Sequence, residues 1–195
     1  MEDIIVQWIG GFVRPSYLQN DYVFAGLIVV LFFVLANIIL WLFGKYLEKF
    51  AKKTKTIVDD LIFEHTRKPI FYFIQVYGIK IALLLLGFNG AVITKIVNSL
   101  LALVFVFIFS RSADIIIETW GNDFAKKTKT NIDEVLLPLF HKASKVVFVI
   151  IAIMWVLDIW NINITPYLAG VGMSGIVLGL ALQDSLKNVF GGITL

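Results

Sequence analysis

The chain of 195 residues is 59% hydrophobic and 16% charged, with a mean hydropathy of +0.87. No soluble core of this length needs so much apolar material, so the composition excludes an ordinary water-soluble domain and points to an integral membrane protein. A net charge of +3 and a pI near 9.0 would suit a nucleic-acid partner, but the basic residues flank apolar runs, which marks membrane orientation instead. Cysteine is absent, which removes disulfides and thiolate chemistry.

Residues 1–21 begin acidic where a signal peptide would be basic, so nothing there reads as cleavable. Ile4, Ile5, Trp8, Ile9 and Phe12 give this segment an amphipathic character suited to the interface, with a disordered tail as the alternative. The first span covers residues 22–43 without a charge. Its length of about 33 Å is enough for a hydrocarbon core of about 30 Å. The second span covers residues 70–88 and is opened by Pro69, a residue at home in a first helical turn. The third covers 92–110 and continues through RSADIIIETW as a helix leaving the membrane. The fourth covers 145–159, and a fifth follows Thr165-Pro166.

Charge sets the orientation. Between spans one and two lie Lys45, Lys49, Lys52, Lys53, Lys55, Arg67 and Lys68, and between spans three and four lie Arg111, Lys126, Lys127, Lys129, Lys142 and Lys145. The 2–3 turn and the 4–5 turn hold no lysine or arginine. The positive-inside rule therefore places the N-terminus outside and the C-terminus in the cytoplasm. FAKKTKT at residues 50–56 recurs at 124–130, and Asp59-Asp60 is echoed by Asp133-Glu134 at the same offset. A repeat of this kind marks a duplicated unit. The unit is a helical hairpin with a basic linker, so the chain divides into an interfacial segment (1–21), two parallel hairpins (22–90 and 91–164) and a last helix (165–195). Lys52, Lys53, Lys55, Lys126, Lys127 and Lys129 are candidate contacts for anionic lipid headgroups, or serve only to fix topology. Lys80, the one charge well inside a span, reads as a lipid contact that snorkels toward an interface or meets a lipid phosphate, ahead of a place on an ion pathway.

The last stretch is apolar yet crowded with glycine. Each glycine weakens a helix by about 1 kcal/mol against alanine, and the use of such residues in membranes is close helix approach. On a helix, Ile176 and Leu180 share one line, flanked on one side by Gly172, Gly175 and Gly179. Ala169, Met173, Val177 and Ala181 flank it on the other. Copies packed glycine seam to opposite seam would close a ring with two stacked aliphatic layers facing its axis, a constriction that shuts by dewetting. A single buried helix in a monomeric bundle fits the same spacing.

GLALQDSLKNVFGGITL, at 179–195, resembles the pore helix of the small-conductance mechanosensitive channel family through Gly179, Leu180, Ala181, Leu182, Gln183, Ser185, Asn188, Gly192 and Leu195. The match covers a small part of the chain, and the order of the segments before it also fits. The resemblance implies an all-α membrane region of five spans, with Ile176 and Leu180 at the constriction and Ala169, Gly172, Gly175, Gly179 and Ala181 in the packing seams. It implies a bend within Gln183, Asp184, Ser185, Asn188, Gly191 and Gly192. Three departures stand out: Met173 and Val177 are bulkier than the usual alanines, Asp184 occupies a position where a kink-forming glycine is common, and Ile176 replaces leucine. The family's cytoplasmic β and α/β domains are absent from this sequence, and a helix stopping at Leu195 without a cap reads as a truncated chain. What the resemblance implies is a homoheptameric channel in the cytoplasmic membrane, opened by tension and weakly selective. Its partners would be membrane lipids and the permeating ions and small osmolytes it releases.

No enzyme and no cofactor is implied. GVGMSG at 170–175 matches G-x-G-x-x-G formally but lacks the preceding strand and the following acidic residue. His65 and His141 lack metal-ligand spacing and read as solvated interfacial residues. Asp158 reads as exposed, and Asp184 and Lys187 as a selectivity element or a pair between subunits. The rival readings are a secondary carrier, disfavoured because no polar cluster sits at mid-membrane depth, and a non-conducting partner subunit.

Overall fold

The computed structural model describes residues 20–51, 58–88, 90–127 and 132–193. They form five helices and, among the described residues, no strand: α1 Asp21–Ala51, α2 Val58–Leu85, α3 Ala91–Lys127, α4 Ile132–Ile159 and α5 Thr165–Ile193. An all-helical chain is what a bilayer demands, since each helix satisfies its own backbone groups where no water can. By length and apolarity four stretches can cross a membrane: Asp21–Lys45, Glu64–Leu85, Ala91–Thr119 and Thr165–Asp184. The fourth expected span lies in α4, where Lys145 and Asp158 bracket only the uncharged run 146–157. That run is about 18 Å long at the helical rise, short of the hydrocarbon thickness.

The helix ends carry their own stop and start signals. Gly87 adopts φ 77°, and the Phe88 and Gly87 amides bond back to the Leu83 and Leu84 carbonyls at 2.9 and 3.1 Å. This closes α2 with a left-handed C-terminal turn that glycine adopts without strain. Asn161 (φ 59°) does the same for α4, with the Ile162 amide 2.9 Å from the Leu157 carbonyl. Asn20 starts α1 by accepting the Tyr22 amide at 3.2 Å. Pro69, expected to open the second span, instead lies inside α2, and Pro138 lies inside α4. The helices begin well before the apolar runs, in the basic linkers, and each proline interrupts one backbone bond rather than starting the helix.

The chain divides into two compact units, one ending at Val156 and one running from Leu157 onward. In the first, α1 packs on α2 and α2 on α3. Phe24, Ala25 and Ile28 of α1 form a core with Ile81 and Ala82 of α2, bordered by Phe32 and Tyr77. The buried face of α1 follows an i, i+4 row through Phe24, Ile28, Ala36 and Leu40. Phe33 meets Phe71 edge-on at 5.6 Å. Where the two helices cross, Gly78 admits the Phe32 ring: a β-carbon at Gly78 would lie 2.6 Å from both Cβ and Cγ of Phe32. In the second unit, α5 follows the Asn161 turn and starts where Asn163 Oδ1 accepts the Thr165 amide at 3.1 Å.

Gly78→Ala should therefore destabilise the α1–α2 hairpin by about 1–3 kcal/mol, because Cβ and Cγ of Phe32 are not a flexible side-chain end that can swing away. Thermal unfolding of the detergent-solubilised protein checks this, and Phe32→Ala in the same chain should recover most of the loss.

Candidate functional site

The candidate pore helix α5 is apolar, 29 residues long, and exposed at every described side chain. Ile176 and Leu180 are each 66% exposed, and a β-carbon added at Gly170, Gly172, Gly175 or Gly179 would meet nothing within 4 Å. Among the described residues nothing packs against these four glycines. Pro166 sits in the first turn, where a missing amide hydrogen costs nothing. The Ser174 hydroxyl donates to the Gly170 carbonyl at 2.8 Å, which satisfies it in apolar surroundings.

Ala169 and Ala181 are exposed on α5, as are Gln183 and Asp184. Asp184 pairs with Lys187 one turn away at 3.5 Å within the same helix, a solvent-exposed contact worth little. Ser185, Asn188, Gly191 and Gly192 belong to α5, which continues as helix to Ile193, but their surroundings lie outside the described features. Lys52, Lys53, Lys55 and Lys129 lie outside the described residues, and of Lys126 and Lys127 only the backbone, helical in α3, is described. Lys80, a candidate lipid contact, is 6% exposed. Asp158 is exposed. Among the described residues no group of histidines and carboxylates has the makings of a metal site.

His65 is exposed, with Nδ1 2.9 Å from the Leu61 carbonyl of its own helix. His141 is not the solvated residue expected. Its Nδ1 lies 3.0 Å from Asp114 Oδ1, joining α4 to α3, with the two side chains 25% and 10% exposed. A carboxylate so far removed from water requires such a partner. Beside it is a cleft of about 460 Å³ between α3 and α4. Val106, Phe107 and Ala152 contribute apolar wall, and Arg111, Asp114 and Lys145 contribute charge.

The internal repeat explains the cleft. From Phe50 to Phe124 the offset is 74 residues, and adding it to the α1 row Ile28, Phe32, Ala36, Leu40 gives Ala102, Val106, Ser110, Asp114 on α3. Ala102, Val106 and Asp114 are buried as Ile28 and Leu40 are, so the two hairpins share one register. The close pair Phe32–Gly78 becomes Val106–Ala152, both of which line the cleft. Removal of a ring leaves space that a methyl group does not refill. Asn37, Leu40 and Phe71 become Arg111, Asp114 and Lys145. One copy is packed, and the other is open and charged.

Exchanging the residues tests that comparison. Phe32→Val should cost about 1–3 kcal/mol by opening a void over Gly78. Val106→Phe should be neutral or stabilising, because the ring enters an existing cleft, and unfolding midpoints of the two variants measure the difference.

A family model described as "Mechanosensitive ion channel, transmembrane helices 2/3" matches residues 142–183, the apolar part of α4, the turn after it and most of α5. The chain is 28% identical over 210 residues to an uncharacterized MscS family protein of Aquifex aeolicus, covering 99% of this chain and 55% of that protein. It is 29% identical over 152 residues to the small-conductance mechanosensitive channel MscMJ of Methanocaldococcus jannaschii, covering 76% of this chain and 43% of the relative. To the large-conductance channel MscMJLR of the same organism it is 25% identical over 198 residues, covering 97% and 53%. The chain spans about half the length of these curated relatives. No solved structure matches it significantly.

Proposed function

Because the chain belongs to the MscS family of mechanosensitive channels, we propose that it forms an ion channel opened by membrane tension, with α5 of each copy lining a central pore. The observation that carries the reading is that every described side chain of α5, apolar and glycine-rich, is exposed, with open space at Gly172, Gly175 and Gly179. Neighbouring copies fill that space when the glycine seam of one meets the seam of Ala169, Met173, Val177 and Ala181 on the next. Ile176 and Leu180 then face the axis as two aliphatic rings, and water leaves the gap between them. The helix bends within 183–192, and seven copies close the ring, as the family resemblance implies.

The two hairpins form the outer, lipid-facing part of each subunit. Their basic linkers lie on the cytoplasmic side, which places the N-terminus outside and the C-terminus inside. α4 completes a five-span topology despite its short apolar run, because Lys142 and Lys145 reach the interface along their own aliphatic stems. Tension favours whichever state occupies more membrane area, and it acts only through that difference. The pore is weakly selective and releases ions and small osmolytes on hypo-osmotic shock, because its narrowest part is aliphatic and carries no charge.

Leu180→Ser should wet the constriction and lower the tension needed for half-maximal opening. Excised-patch recording from liposomes holding the variant measures that tension. A variant that conducts normally at the unaltered threshold would remove Leu180 from the gate.

A further inference from the structure

We propose that the His141–Asp114 contact is a titratable clasp across the second hairpin, through which pH sets the tension required for opening; the coupling to opening rests on the channel reading above. The contact joins α4 to α3 at 3.0 Å, at the charged end of the α3–α4 cleft. In the first hairpin the two positions at the same offset hold Leu40 and Arg67, a buried apolar side chain and an exposed cation. At these two positions the duplicated hairpin has exchanged a buried leucine and an exposed cation for a hydrogen-bonded carboxylate and imidazole, at the place where it has also lost its packing ring. A hairpin with an open cleft deforms more easily than one whose helices interlock. The clasp is the contact that such a deformation must stretch.

Imidazole changes charge between about pH 5 and 8, unlike any other unperturbed side chain. The neutral ring offers Asp114 one ordinary hydrogen bond, whereas the imidazolium offers a charge-assisted one, which is roughly twice as strong. His141 is 25% exposed, so protons from the aqueous phase reach it while Asp114 stays screened from water. The surrounding charges are mixed. On α3, Arg111 opposes a second positive charge and Glu118 favours it; on α4, Lys142 and Lys145 oppose it. On α2, which packs on α3, Glu64, His65, Arg67 and Lys68 lie a similar distance from the 2–3 turn and are exposed, so water screens them. Among the described residues, Asp114 is the one in hydrogen-bond contact with the ring, and it decides the sign. The charge-assisted bond is the stronger one, so acid conditions favour the clasped form. Opening should thus require more tension at low pH.

The protein has no cysteine, so spin labels can be placed at Ile116→Cys on α3 and Leu139→Cys on α4, both exposed positions. In the full protein in nanodiscs, the inter-label distance distribution should be shorter and narrower at about pH 5.5 than at about pH 8. His141→Gln should abolish the difference. His141→Arg, which restores the first copy's residue, should give the acid-type distribution at both pH values. In patches, the open-to-closed ratio at fixed tension should be roughly five-fold lower on the acid side in the unsubstituted protein, and pH-independent in both variants. A distance distribution indifferent to pH, or a shift that survives in His141→Gln, overturns the clasp whether or not the protein conducts. A clasp that responds in the distances without shifting the threshold, or that shifts it the opposite way, overturns its coupling to opening.

Discussion

An apolar helix with glycine along one side and every described side chain exposed is incomplete as a packed object. In α5, Ile176 and Leu180 are exposed, and the glycines that would let another backbone approach have empty space before them. In a bilayer, lipid tails solvate an aliphatic surface as well as protein does, so burial of apolar area alone gives no reason for small residues. Close backbone approach does. The helix tolerates several glycines, each unfavourable by about 1 kcal/mol in isolation, only if contact with another helix compensates. Assembly about an axis is the arrangement in which every α5 supplies one seam and receives the other, and it leaves a third line of the helix facing inward.

The two outer hairpins show how one interface can be used in two ways. Their buried rows coincide at an offset of 74 residues, yet Phe32 locks against Gly78 in the first while Val106 and Ala152 line an open cleft in the second. The first hairpin is suited to move as a unit. The second, which the chain places directly before α5, has a cleft and a polar contact where its counterpart has a ring and a leucine. Such placement puts the more deformable hairpin next in sequence to the proposed gate, where a change in helix separation has the shortest chain path to act along.

Much of this was legible in the sequence because membrane helices announce themselves by length and apolarity. Four of the five expected spans recur in the helices long enough to cross, and the turns between the second and third and between the fourth and fifth helices fall where lysine and arginine are missing. Pro69 was misleading because α2 starts earlier, at Val58, before its apolar run begins, so the proline falls inside the helix. His141 was misread because its partner lies 27 residues away on another helix, and no local spacing reports such a pair. The signal was there in another form. Aligning the two copies sets Leu40 against Asp114, and a carboxylate at a position whose counterpart is a core leucine requires a partner.

The claim on which the account turns is that α5 is covered by other copies of itself. Cysteines placed at Gly175 on one seam and Val177 on the other, in a protein with none of its own, test it by oxidative cross-linking in native membranes. A ring of α5 helices gives a ladder of covalent oligomers closing on a ring when both cysteines are present, and dimers at most when only one is. Monomer alone from the doubly substituted protein, with both thiols reactive to lipid-soluble reagents, would mean that α5 faces lipid and lines no pore.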